Sequence, residues 1–137
     1  MDTLKQHLDA LYPLPPEDSE AFLTLWACKE LPKNFEIIAE GEVSNYLYFV
    51  EKGSVRSFFS MDNKEVTEWI ALEDTFTFSP TSLFSRQPGR LIFQTVEASV
   101  LYAIEVSDLE QISAKSIHVA QLFRVLLANS QIGRAHV

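Results

Sequence analysis

The densest set of groups able to recognise a ligand lies in the run Thr75-Phe76-Thr77-Phe78-Ser79-Pro80-Thr81-Ser82-Leu83-Phe84 and in Arg86 and Arg90 just beyond it. Ser79 before Pro80 makes an N-cap and first-turn pair: the hydroxyl can accept a backbone amide, and the proline has none to satisfy. A short helix started there would offer the amides of Thr81 and Ser82 to an anion. Arg86 or Arg90 could add the charge, and a guanidinium can do so with two hydrogen bonds at once. The plainer alternative is a solvated surface loop carrying two ordinary arginines, which is the commoner case.

Other chemistry is sparse. His7, His118 and His136 fall in the terminal regions and none on an expected strand, so they assemble no metal site. His118 has Lys115 and Gln121 as helix neighbours rather than the positioned partner that a catalytic histidine needs. No nucleophile-elbow, P-loop or dinucleotide fingerprint is present. Asp108 with Glu110 belongs to a helix start and Glu40 with Glu42 to a turn, so both acidic pairs read as solvated. Cys28 is the single cysteine, which excludes an internal disulfide and a cysteine-held iron–sulfur cluster. It is expected to be a small buried thiol on a helix. Enzyme is the poorest of the functional classes, and no catalytic residue, metal or cofactor is assigned.

The elements that must position these residues follow from periodicity. Leu4, His7, Leu8 and Leu11 share helical spacing, and Pro13 ends that helix. Pro15-Pro16 and the acidic turn Glu17-Asp18-Ser19-Glu20 start a second helix, with Ala21, Phe22, Leu25, Trp26 and Cys28 on its apolar side and an end at Leu31-Pro32. Strand patterns then run through Phe35–Ile38, Tyr46–Val50, Val55–Ser60, Val66–Leu72, Leu91–Val96 and Val100–Val106, with a hairpin turn at Met61-Asp62-Asn63-Lys64. Ser107-Asp108-Leu109-Glu110 reads as a capping box. A last helix from about Ser116 carries Val119, Leu122, Phe123, Leu126 and Leu127 on overlapping apolar positions. Short strands at regular spacing between helical ends predict an α+β chain with an antiparallel sandwich or barrel.

Composition sets the partners. The 137 residues, 47% of them apolar, suit one core. A net charge of −8 with no basic stripe predicts that this chain does not bind nucleic acid, since that binding depends on Lys and Arg displacing counterions. No apolar run approaches the roughly 18–20 residues of a membrane span, and the N-terminus has no signal-peptide core. The expected location is the cytoplasm, with no membrane partner.

The segment Glu40-Gly41-Glu42-Val43-Ser44-Asn45-Tyr46-Leu47-Tyr48-Phe49-Val50-Glu51-Lys52-Gly53-Ser54-Val55-Arg56 resembles the turn-strand-turn of cyclic-nucleotide-binding domains, and Val96 to Leu109 resembles the last strands and hinge helix of that family. The resemblance spans roughly Leu23 to Leu127 and points to the Crp/Fnr superfamily of bacterial transcription regulators. It implies an antiparallel β-roll, double-stranded and jelly-roll-like, flanked by N-terminal helices and a C-terminal dimerisation helix. The expected divisions are 1–33 for the N-terminal helices, 34–106 for the β-roll, 107–131 for the hinge and dimerisation helix, and 132–137 for a non-native tail. That last expectation rests on a back-translation of Ile132 to Val137, ATCGGAAGAGCACACGTC, which is the start of a common sequencing adapter.

The expected ligand-binding residues are Phe76, Thr77 and Phe78, at the positions of the family's cassette, together with Ser79, Thr81, Ser82, Arg86 and Arg90 from the local reading above; neither arginine falls at the spacing of the cassette's own arginine. Phe76 fits the family's cassette, but Thr77 stands where Gly is expected and Phe78 where Glu would take the ribose hydroxyl. Cyclic AMP binding of the usual kind is therefore not expected; a different small anion, or no ligand, is expected ahead of a cyclic nucleotide. Val119, Leu122, Phe123, Leu126 and Leu127 would pair two copies in a weak homodimer, although covering the roll would explain the same residues. The expected function is the sensor half of a Crp/Fnr-like regulator without its helix-turn-helix DNA-binding half. The alternatives are a stand-alone ligand-binding or protein-interaction module of the same fold and, more remotely, a cupin-type metalloenzyme.

Overall fold

The computed structural model describes the backbone of residues 1–132 and the side chains of residues 1–129. Two four-stranded antiparallel sheets form a roll. The first holds β1 (Ala27–Leu31), β8 (Ser99–Glu105), β3 (Tyr46–Lys52) and β6 (Phe76–Thr77), in that order. The second holds β2 (Glu36–Ile38), β7 (Ile92–Thr95), β4 (Val55–Met61) and β5 (Lys64–Ala71). Helices α1 (Asp2–Leu11) and α2 (Pro16–Leu23) precede the roll, α3 (Pro80–Ser85) interrupts it, and α4 (Val106–Lys115) and α5 (Ile117–Ile132) follow it. This is the expected α+β antiparallel roll with helices at both ends.

The central strands of the first sheet, β3 and β8, are buried on both faces, which explains their uninterrupted apolar runs. Successive side chains on a strand point to opposite faces. Tyr48, Val50, Leu101 and Ala103 therefore pack between the sheets with Trp69 and Phe93. Their neighbours Leu47, Phe49, Tyr102 and Ile104 face the helices, among Leu4, Leu8, Phe22, Leu109, Val119, Leu122 and Leu126. Burying each such large side chain contributes roughly 1.5–3 kcal/mol. At the β4–β5 hairpin, Asp62 and Asn63 adopt φ of 54° and 64°, the left-handed pair whose twist matches that of the strands.

Three local expectations are corrected. The second helix stops at Leu23, and Ala27–Leu31 is instead strand β1, paired with β8 from Ala27↔Ala103 to Leu31↔Ser99. Cys28 is consequently an exposed thiol on an edge strand, not a buried one on a helix. The outer edge of β8 needs a hydrogen-bonded partner, and that tertiary demand outweighs the helical spacing of Phe22, Leu25 and Trp26. β1 is exposed at four of its five positions, so it shows no period-two signal. The Ser107 capping box does not form either. Glu105 is the N-cap without a side-chain bond, Val106 N–H donates to the Asn45 carbonyl at 2.8 Å, and the Ser107 hydroxyl donates to Glu105 Oε2 at 3.4 Å. The strand runs straight into the helix, and the Asn45 carbonyl takes over the work of a cap.

The start of α5 is held by Ser116, whose hydroxyl accepts from Val119 N–H at 3.2 Å and donates to Asp18 Oδ2 at 3.1 Å. The expected tail at 132–137 lies, beyond the backbone of Ile132, outside the described residues.

Candidate functional site

The segment from Phe76 to Arg90 begins as an edge strand. β6 pairs with β3 as Tyr48↔Thr77 and Phe49↔Phe76, and directly opposed residues share a face. Phe76 therefore lies on the helix side, against Phe49 at 4.9 Å and Trp26 at 6.2 Å between ring centroids. Thr77 lies on the roll side with Tyr48, 2% exposed, and its Oγ1 has no hydrogen-bond partner. Phe78 returns to the helix side, where it joins the cluster of Leu122 and Leu126 and meets Phe84 edge-on at 6.3 Å. The aromatic ring that replaces the expected ribose acceptor is a packing anchor.

Ser79 and Pro80 do open α3 as N-cap and first helical residue. The polar groups of this turn are spent internally, however. Ser82 N–H donates to Ser79 Oγ at 3.4 Å. Ser82 Oγ, fully buried, accepts from Ser44 N–H at 2.8 Å and donates to the Gln87 carbonyl at 3.1 Å. The Ser82 amide is thus not a free donor, contrary to the anion-cradle expectation, and α3 is only six residues long. Thr81 is exposed. Arg86 is the left-handed C-cap of α3, with φ of 56°. Arg90 lies with its guanidinium 4.0 Å from the centre of the Phe59 ring, a cation–π contact that occupies its face. Among the described residues neither arginine makes an ion pair. The structure brings Ser79 and Ser82 together and leaves the two arginines outside that cluster.

The five apolar residues of α5 expected at a dimer interface are placed on this chain's own core. Val119, Leu122 and Leu126 are 0–2% exposed, and Phe123 and Leu127 are half-buried against the same cluster. The helix-facing side of the first sheet requires a cover, and α5 supplies it.

The space that remains lies elsewhere. A cavity of about 470 Å³ opens at the seam where edge strand β5 of one sheet approaches β6 and α3 of the other, with α1 and α5 as its further walls. Its lining includes His7, Trp69, Phe76, Phe78, Phe84 and Leu126. Trp69 stands edge-on to Phe93 at 5.7 Å, so the roll interior beneath the seam is filled by aromatic rings. Sequence reading passed over His7 as a site residue, although it shares the helical stripe of Leu4, Leu8 and Leu11. Tyr48, deeper in the roll, has its phenol pKa raised first by burial and then by Tyr46 and Glu42. Among the described residues, no three of His, Cys, Asp and Glu cluster as a metal site would need. No helix among them is long and apolar enough to cross a membrane.

Residues 28–116 match the profile of the cyclic nucleotide-binding domain. No curated protein sequence matches significantly. Among solved structures, the Thermus thermophilus catabolite activator protein is 25% identical with a TM-score of 0.70, over 85% of this chain and 55% of that one. A cyclic nucleotide-binding domain from Methylobacillus flagellatus superposes with a TM-score of 0.82 at 12% identity, over 96% and 75% of the two chains. The sensor domain of the Pseudomonas aeruginosa transcriptional regulator DNR gives 0.74 at 18% identity, over 93% and 85%. The chain spans about half the length of the Thermus activator. With its helices, its two sheets and residues 28–116 all conforming, this chain belongs to the cyclic nucleotide-binding domain family and resembles the sensor domains of Crp/Fnr-type regulators.

Proposed function

We propose that this chain is the effector-sensing part of a Crp/Fnr-like transcription regulator, in which movement of β6 and α3 is passed to α5. The observation that carries the reading is the shared apolar cluster: Phe78 of the cassette segment packs with Leu122 and Leu126 of α5. A ligand that displaces Phe78 must therefore displace the helix. DNA binding would belong to a further domain, because a net charge of −8 repels phosphate backbones. A dimer of this chain alone is weak, with only the half-buried Phe123 and Leu127 of the five apolar α5 residues left to contribute.

Cyclic AMP and cyclic GMP are not the effectors in this reading. The ribose acceptor is replaced by a ring turned into the core, and the Ser82 amide and hydroxyl already have partners. A thermal-shift titration with cyclic AMP, cyclic GMP, cyclic di-GMP and inorganic phosphate tests this. A ligand at 100 times its dissociation constant adds about 2.7 kcal/mol to stability. No shift with any of the four is expected, and a shift with a cyclic mononucleotide overturns this part of the reading. The regulator assignment has its own test in the source gene. A helix-turn-helix pattern downstream of α5 supports it, and a stop codon there favours the stand-alone module.

A further inference from the structure

His7 sits on α1 with its ring 5.5 Å from that of Phe49, and its Nδ1 lies 2.9 Å from the Thr3 carbonyl oxygen. A carbonyl can only accept, so Nδ1 carries the proton and Nε2 of the neutral ring holds a lone pair. Among the described residues that nitrogen makes no hydrogen bond, and His7 lines the 470 Å³ cavity. The rest of the wall is largely apolar, and no Lys or Arg among the described residues contributes to it, whereas Asp74 does. The rim is apolar too: Ile70, Leu72 and Phe84 are 47%, 61% and 55% exposed. A concave, mainly aromatic pocket with a few polar groups is the usual form of a small-molecule site. Among the described residues no cation stands beside these acceptors, which selects against an anion.

We propose that this seam cavity binds an uncharged aromatic molecule bearing one O–H or N–H donor, which hydrogen-bonds to His7 Nε2. The proposal deepens the sensor reading, since α5 forms one wall through Leu126 and Asn129, and it rests on that reading only for the ligand's regulatory meaning. Binding itself stands on the cavity. A molecule of two fused rings is the right scale, so the probes are 1-naphthol, naphthalene and 1-naphthoate, followed at pH 8 by tryptophan fluorescence and thermal shift.

The expected order is 1-naphthol tightest, naphthalene about five-fold weaker for want of the one hydrogen bond, and 1-naphthoate weakest of the three. His7→Phe keeps the shape and should erase the preference for naphthol over naphthalene. Ala10→Trp, at an exposed position of α1 that lines the cavity, should block all three probes without unfolding the chain. Naphthoate binding as tightly as naphthol, or His7→Phe leaving the preference intact, overturns the proposal. So does binding that appears only on dilution from a dimer, which would make the groove the seat of a second copy. Failure of every probe on the wild-type protein also overturns it, and leaves the regulator assignment to its own gene and nucleotide tests.

Discussion

Phe78 illustrates how one residue can change its role without changing the fold. Where the family would set a carboxylate facing ribose, this ring is 6% exposed in the helix-side cluster. Restoring the acidic residue should therefore not restore a nucleotide site. Phe78→Glu is expected to lose the ring's packing and to bury a carboxyl without a partner, costing about 3–5 kcal/mol. Urea unfolding would measure the loss, and cyclic AMP should still give no thermal shift. Tyr48 makes a prediction of opposite character. Its folded-state pKa lies above the ordinary value of 10.0, chiefly through burial. The stability linked to a raised pKa is complete below the unfolded value and is lost as pH rises beyond it. Unfolding midpoints should thus fall above pH 10, and Tyr48→Phe should flatten that fall; an unchanged slope in the variant would place the effect elsewhere.

At the scale of elements, the roll depends on a few buckles rather than on long strands. Ser82 ties α3 to the turn before β3 and to the loop before β7, with the Ser44 amide and the Gln87 carbonyl on its hydroxyl. Ser82→Ala leaves a buried amide without its acceptor and should cost about 1–3 kcal/mol, measured as a lowered urea midpoint. The two turn glycines should respond unequally. Gly41, at φ of 82°, has open space where a Cβ would go, so alanine there costs only the backbone strain of about 1–2 kcal/mol. Gly53, at φ of 90°, would drive a Cβ into the Ser99 side chain and the Ala98 carbonyl. Gly53→Ala should be markedly worse than Gly41→Ala in a side-by-side thermal melt, and equal losses would contradict the packing at that corner.

For the whole molecule, the decisive element is α5. Its Val119, Leu122 and Leu126 complete this chain's own core, so the chain should fold without a second copy. The urea midpoint at micromolar concentrations should be independent of protein concentration, whereas folding coupled to dimerisation makes it rise with concentration. Leu122→Ala should lower the midpoint by about 2–5 kcal/mol of stability at every concentration tested.

Much of this was legible in the chain before any coordinates. The short apolar runs at Tyr46–Val50 and Val100–Ile104, the hairpin turn at Met61-Asp62-Asn63-Lys64, and the Ser79-Pro80 start are local signals, set by backbone sterics and by nearby side chains. The charge of −8 likewise needs only counting. What required tertiary structure was every choice between two locally acceptable partners. Ala27–Leu31 became a strand because β8 had an unpaired edge, and Val106 found its acceptor in Asn45, far away in sequence. The amide of Ser82 turned inward to Ser79, and Val119, Leu122 and Leu126 of α5 settled on this chain's own core. His7 became a pocket residue only when β5, β6 and α5 met above it. Sequence fixes what each residue can do locally; burial and long-range hydrogen bonding determine which of those options is used.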